Sequence, residues 1–170
     1  IQSLPVRLCM DRGGLSGDDG PTHHGLFDIG YLRHIPHLVH MQPKDEDEFV
    51  DMLFTMSKYD DGPTAIRYPR GVIKGTPIKS KPALIEIGKA EVVADGTDVA
   101  LIGLGTMFGM AERAKLMLEA KGLSVALINP RFIKPLDANV IQTYAAKCKV
   151  VCTFEDHVLF NGFGAAVIEN

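Results

Sequence analysis

Two apolar patterns alternate through the second half of the chain with almost nothing between them. "DVALIGLG" (98–105), "SVALINP" (124–130) and "VVCTFED" (150–156) are short, continuous apolar runs. Between and after them stand "MFGMAERAKLMLEAKG" (107–122), "LDANVIQTYAAK" (136–147) and "GFGAAVIEN" (162–170), which read as helices. Strands apolar on both faces need cover on both, and strand-helix-strand units with short connections run their strands parallel. This predicts an α/β fold with a doubly wound, mostly parallel sheet. The last helix reads as unfinished, so the C-terminus looks cut.

The first half has the same character, less regularly. "LPVRLCM" (4–10) predicts a buried strand that delivers its C-terminal end to a site, and "HLVHM" (37–41) a second short strand. In "PKDEDEFVDMLFTMSKY" (43–59), Phe49, Leu53 and Met56 recur at helical spacing behind Pro43 and a run of acids that suits a helix N-terminus. "DGPTAIRYPRG" (61–71) predicts a turn, a strand over 64–67 and a loop. Residues 72–82, rich in Lys, Gly and Pro, read as a linker. The expected organisation is therefore a unit over 1–71, a linker over 72–82 and a second unit over 83–170, both incomplete. The chain begins "IQSLPVRL", without Met and unlike a signal peptide, as if cut from something longer.

A net charge of -3 over 170 residues, without blocks of like charge, gives no electrostatic reason to expect nucleic acid or an anionic membrane as partner. No apolar run approaches the ~20 residues of a membrane span. A small-molecule partner is expected. Cys9, Cys148 and Cys152 read as reduced thiols, and the Cys148–Cys152 spacing lacks a second ligand pair for a metal.

Ligands of doubly wound folds sit beyond the C-terminal ends of the strands. Three candidates qualify there, the third being the loops after Leu104 and Phe154 taken together. "DRGGLSGDDGPTHHG" (11–25) packs five glycines among Arg12, Asp19, His23 and His24, combining backbone freedom with charge and proton-transfer capacity. A polar surface loop with capping aspartates is the plainer alternative. In "RYPRG", strand alternation points Arg67 and Arg70 differently; Arg70, nearer the tip, is the candidate for a phosphate or carboxylate, against a surface ion pair. "GLGTMFG" (103–109) reads as tight strand-to-helix packing rather than a phosphate loop, and a further loop follows Phe154. His34, His37 and His40 read as loop or partly buried histidines, not a metal site.

"DRGGLSGDDGPTHHGLFDIGYLR", "MQPKDEDE" and "GPTAIRYPRG" resemble the pyrimidine-binding domain of the 1-deoxy-D-xylulose-5-phosphate synthase family, thiamine-diphosphate enzymes of the transketolase superfamily. "INPRFIKPLD" and "FEDHVLFNGFG" extend the resemblance into the C-terminal domain. Transketolases share the "DGPTH" core. They tend to carry His-Asp-Ser where this chain has Met10-Asp11-Arg12, a proline near Gly25, and Ser-Arg-Gln near Tyr68-Pro69-Arg70. The resemblance implies condensation of pyruvate with D-glyceraldehyde 3-phosphate, with loss of carbon dioxide, by a homodimer in the cytoplasm or a plastid. It further implies Arg12 and Arg70 as ligands of the aldehyde's phosphate, and Asp19 and His23 as catalytic groups beside the reacting centre. Thiamine diphosphate and Mg2+ are implied as cofactors, with their ligands and the activating glutamate upstream of this chain; no cofactor or metal ligand is assigned here, and the piece alone is expected to be inactive. His24 receives no role. Asn161 stands where the family more often has glycine.

Overall fold

A computed structural model describes residues 2–71 and 75–170; of the expected linker, 72–74 lie outside the described residues. The elements in chain order are β1 (Arg7–Met10), α1 (Asp28–Leu32), β2 (Val39–Met41), α2 (Glu46–Lys58) and β3 (Thr64–Arg67). There follow β4 (Glu91–Ala94), β5 (Val99–Gly103), α3 (Phe108–Glu119), β6 (Val125–Asn129), β7 (Phe132–Lys134), α4 (Ala138–Lys147), β8 (Val150–Phe154) and α5 (Phe163–Glu169). They form two four-stranded sheets, ordered β1-β3-β2-β7 and β4-β6-β5-β8. The inner pairings β1/β3, β2/β3, β5/β6 and β5/β8 are parallel, whereas β7 and β4 add antiparallel edges. The expected α/β class with mostly parallel sheets holds, and the two short antiparallel strands are additions to it.

β7 is the less obvious of these. After β6 the chain leaves the second sheet, pairs Phe132 and Lys134 with β2 of the first, and only then enters α4. A three-residue strand in "RFIKP" is too short to show periodicity, yet Phe132 is fully buried against Val39, Met41, Ile66, Met52 and Met56. The other faces pack in the same way. Leu101, Val125 and Leu127 cover Phe108 and Ala111 of α3, while Ala100, Ile102, Ala126 and Ile128 meet Tyr144, Phe163, Ile133 and Ile29 of α1. A side chain on Gly103 would collide with Phe108 and Ala111, so that glycine serves close strand-helix packing, as its sequence context suggests.

Two expectations need correction. β1 is not buried: it is an edge strand with Arg7, Leu8 and Cys9 exposed, because β3 is its sole neighbour among the described residues. In α2, Leu53 is exposed and Met52 buried, so the inward stripe is rotated from the apolar count. The cause is polar burial. Asp51 accepts from the Ala83 amide (2.7 Å), Thr55 from the Ile85 amide (2.9 Å), and Glu48 from Asn129 (2.7 Å) and Arg131 (2.8 Å). Gly75 and Lys79 likewise donate backbone amides to Glu46 and Asp47, so the segment after residue 74 lies strapped along α2.

His40 on β2 is fully buried, and among the described residues neither ring nitrogen has a partner. Burial, reinforced by Arg67 and His157, pushes its pKa from 6.5 down to about 3. The folded state therefore carries a neutral ring, while the unfolded chain takes up a proton below its ordinary value. Stability tied to this histidine is complete above the unfolded pKa of 6.5 and is lost as pH falls towards 3. His40→Leu is expected to flatten the pH dependence of urea unfolding between about pH 6.5 and 4; parallel slopes for variant and wild type would contradict this.

Candidate active site

Because β1 and β3 pair in parallel with Met10 opposite Arg67, their two loops leave the same end of the sheet side by side. The first loop descends from Asp11 through two short 3-10 turns, Gly17–Asp19 and Pro21–His23. The second carries Tyr68, Pro69 and Arg70. Where they meet, the Asp19 carboxylate bridges two guanidinium groups: Oδ2 accepts from Arg12 Nε at 2.8 Å, and Oδ1 pairs with Arg70. Arg12 also pairs with Asp11. A cavity of about 230 Å³ opens here, lined by Ser16, Gly17, Asp18, Asp19, Arg70 and Gly71.

Three of the four residues singled out from the sequence, Arg12, Asp19 and Arg70, are thus joined directly. The fourth, His23, is exposed at the end of the second turn, its Nδ1 3.1 Å from the Thr22 hydroxyl. His24 plays a structural part, since its Nδ1 accepts from the Ser16 amide at 2.9 Å and ties the two turns together. Arg12 holds a left-handed backbone (φ 60), which costs a non-glycine residue energy and is kept where surrounding bonds impose it. Those bonds are at hand. The Gly25 amide donates to Arg12 O (3.0 Å) and Gly14 O (2.9 Å), Gly14 N donates to Gly25 O (2.9 Å), and Gly13 N donates to Tyr68 O (2.9 Å).

Beneath this neck lies the group that sequence reasoning passed over. Arg67 is fully buried, not a surface ion pair. Its Nε donates to Asp28 Oδ2 (2.6 Å), Nη1 to Gln42 Oε1 and Asp156 Oδ1 (both 2.6 Å), and Nη2 to Gly25 O (3.0 Å). Burial works against its charge, but Asp156 and Asp28 outweigh this and hold its pKa above the ordinary value. Asp156, just beyond β8, turns its other oxygen to the Thr106 hydroxyl at 2.9 Å. Gly14 (φ 82) lies so close that any side chain there would strike the Asp156 carboxylate. One available signal was the strand itself: an arginine inside a four-residue strand behind Ala65 and Ile66 needs buried anions, and "FDIG" and "FEDH" offer them.

The loop after β8 docks on the same region. Val158 N donates to Leu26 O (3.1 Å), and Gly30 N to His157 Nε2 (3.3 Å). Glu155 accepts from the Phe163 and Gly164 amides, satisfying the start of α5. Asn161, in the position where a glycine was expected, has φ 56, a conformation that asparagine tolerates better than most residues. Among the described residues no group of three or more His, Cys, Asp or Glu side chains converges as a metal site requires. No helix of the described residues is long and apolar enough to cross a membrane.

Residues 1–75 match the family model "Transketolase, pyrimidine binding domain", and residues 88–170 match "Transketolase, C-terminal domain". A solved structure titled "Split gene transketolase, inactive beta4 tetramer" superposes with a TM-score of 0.83 at 28% identity, covering 96% of this chain and 52% of that one. The chain belongs to the transketolase family. Within it, the sequence is 55% identical to the 1-deoxy-D-xylulose-5-phosphate synthase of Acidobacterium capsulatum and 53% identical to that of Methylacidiphilum infernorum, in each case over 99% of this chain. The chain spans 27% of the length of each of those relatives.

Removing the Arg67 side chain would leave the buried Asp28 and the half-buried Asp156 without their counter-charge. Arg67→Ala is expected to cost about 3–5 kcal/mol in chemical denaturation, the usual penalty for stripping one partner from a buried pair. A loss under about 1 kcal/mol, the value of a surface pair, would show that the network is dispensable.

Proposed function

We propose that this chain forms the acceptor side of the active site of a 1-deoxy-D-xylulose-5-phosphate synthase. That enzyme joins pyruvate to D-glyceraldehyde 3-phosphate and releases carbon dioxide. The observation that carries the proposal is the convergence of Arg12 and Arg70, from two adjacent loops, on one carboxylate beside an open cavity. Such a pair of guanidinium forks suits a phosphate monoester, which brings close to two negative charges and several acceptor oxygens. The likeness to the synthases of two bacteria, over nearly the whole chain, supports the same substrate class.

In the balanced reaction the bond between the carboxylate and carbonyl carbons of pyruvate breaks, and carbon dioxide leaves. The carbonyl carbon of pyruvate, a ketone carbon again in the product, bonds to the aldehyde carbon, whose oxygen gains one proton from solvent. Arg12 and Arg70 bind the phosphate of the aldehyde and so place its carbonyl. Asp19, held between them, competes with the phosphate for both guanidinium groups and is released towards the reacting carbons when the phosphate binds. His23 offers an exposed imidazole, the side chain best suited to exchanging a proton at neutral pH. Thiamine diphosphate and Mg2+ belong to this reading as cofactors held by parts of the enzyme other than these residues, and the 170 residues alone are inactive. A homodimer in the cytoplasm or a plastid completes the reading.

Arg70→Ala in the complete enzyme is expected to lower kcat/KM for D-glyceraldehyde 3-phosphate about ten- to a hundredfold, the loss of one charge-assisted contact of ~1.5–3 kcal/mol. The KM for pyruvate should change by less than about threefold. Equal losses for both substrates would contradict a phosphate role. For His23→Ala, turnover should collapse while the melting temperature stays close to wild type; parallel loss of both would reduce His23 to a structural residue.

A further inference from the structure

We infer that Asp156, acting through Arg67, is a positioning residue that sets the aim of Arg12, so that the second sheet helps to decide which acceptors the first sheet's loop accepts. This rests on the phosphate-binding reading of Arg12 and Arg70. Arg67 is itself fully buried and sits under the loop rather than in the cavity. Its influence passes through the Gly25 carbonyl, which it holds at 3.0 Å, and Gly25 in turn closes the neck of the loop on Arg12 and Gly14. Gly13 contributes the absence of a side chain: a Cβ there would press on the guanidinium plane at 3.3 Å. Arg12, the residue before it, keeps its left-handed backbone through these same bonds.

A guanidinium is a rigid fork, so its orientation is decided by the acceptors around it. Asp28, from α1, accepts from Nε of Arg67, and Gln42, from the end of β2, accepts from Nη1; both are buried within the first half of the chain. Among the described residues, Asp156 is its one side-chain acceptor from the second half, and Thr106, in the loop after β5, fixes Asp156 in turn. The tips of two second-sheet strands therefore reach the acceptor loop through one carboxylate. Loosening that carboxylate lets the neck of the loop tilt and Arg12 lose its alignment with a bound phosphate.

The test uses the complete enzyme with pyruvate and two acceptors, D-glyceraldehyde 3-phosphate and unphosphorylated D-glyceraldehyde, comparing kcat/KM for each. Asp156→Asn is expected to lower the preference for the phosphorylated acceptor about tenfold, and Thr106→Val, which removes one bond to Asp156, about threefold in the same direction. General loosening of the fold would depress both acceptors together and leave their ratio unchanged; that result in folded Asp156→Asn overturns the inference. Should Asp156→Asn fail to fold, Thr106→Val decides by the same ratio. Arg70→Ala separates the phosphate reading from the positioning role: if it leaves the ratio intact, the phosphate reading fails and the positioning role falls with it. If Arg70→Ala lowers the ratio and the other variants do not, the positioning role alone is wrong.

Discussion

A buried arginine is costly to desolvate, and the surroundings of Arg67 are organised around that cost. Two carboxylates, an amide oxygen and a backbone carbonyl surround the guanidinium at 2.6–3.0 Å, and they come from α1, the end of β2, the neck of the 11–25 loop and the loop after β8. No one of these segments can shift without uncovering charge in a low-dielectric setting, where an unpaired ion is far more unfavourable than at the surface. The parallel register of β1 on β3 then places the neighbouring loop tips within reach of one another, and Asp19 joins Arg12 to Arg70. Buried charge thus fixes the base of this end of the first sheet, and half-buried and exposed charge gathers above it.

A second set of polar contacts makes the two sheets one assembly. Glu48 of α2 accepts from Asn129 at the end of β6 and from Arg131 just before β7, and the Asp51 and Thr55 side chains hold the segment that enters the second half. β7 itself crosses to pair with β2. The apolar contacts follow the same seam, since Ile29 of α1 packs among residues of the second sheet. The relation between the loops of the two halves is thus held by hydrogen bonds, strand pairing and packing together.

Much of this was legible in the chain. Continuous apolar runs such as "VALIG" and "VALIN" state that their strands are buried on both faces, and the glycines and charges of "DRGGLSGDDGPTHHG" mark a loop with chemistry. The missing parts share a physical origin. β4 and β7 are short edge strands whose pairing depends on partners distant in sequence, and β1 looked buried because its apolar composition does not report that one side lacks a neighbour. In α2 the inward face includes Glu48, Asp51 and Thr55, which an apolar count discards although hydrogen bonds satisfy them. Arg67 escaped for the same reason: its four acceptors lie 25 to 89 residues away, and only the fold brings them together. Arg12, Asp19 and Arg70 were easier to recognise because their motif is local.

The central claim is that the paired arginines serve a phosphorylated aldehyde whose partner is pyruvate. Its most direct test is the product balance of the complete enzyme supplied with thiamine diphosphate, Mg2+, pyruvate and D-glyceraldehyde 3-phosphate. The expected balance is one carbon dioxide released for each 1-deoxy-D-xylulose 5-phosphate formed. Ketol transfer from xylulose 5-phosphate with pyruvate left unconsumed would contradict it.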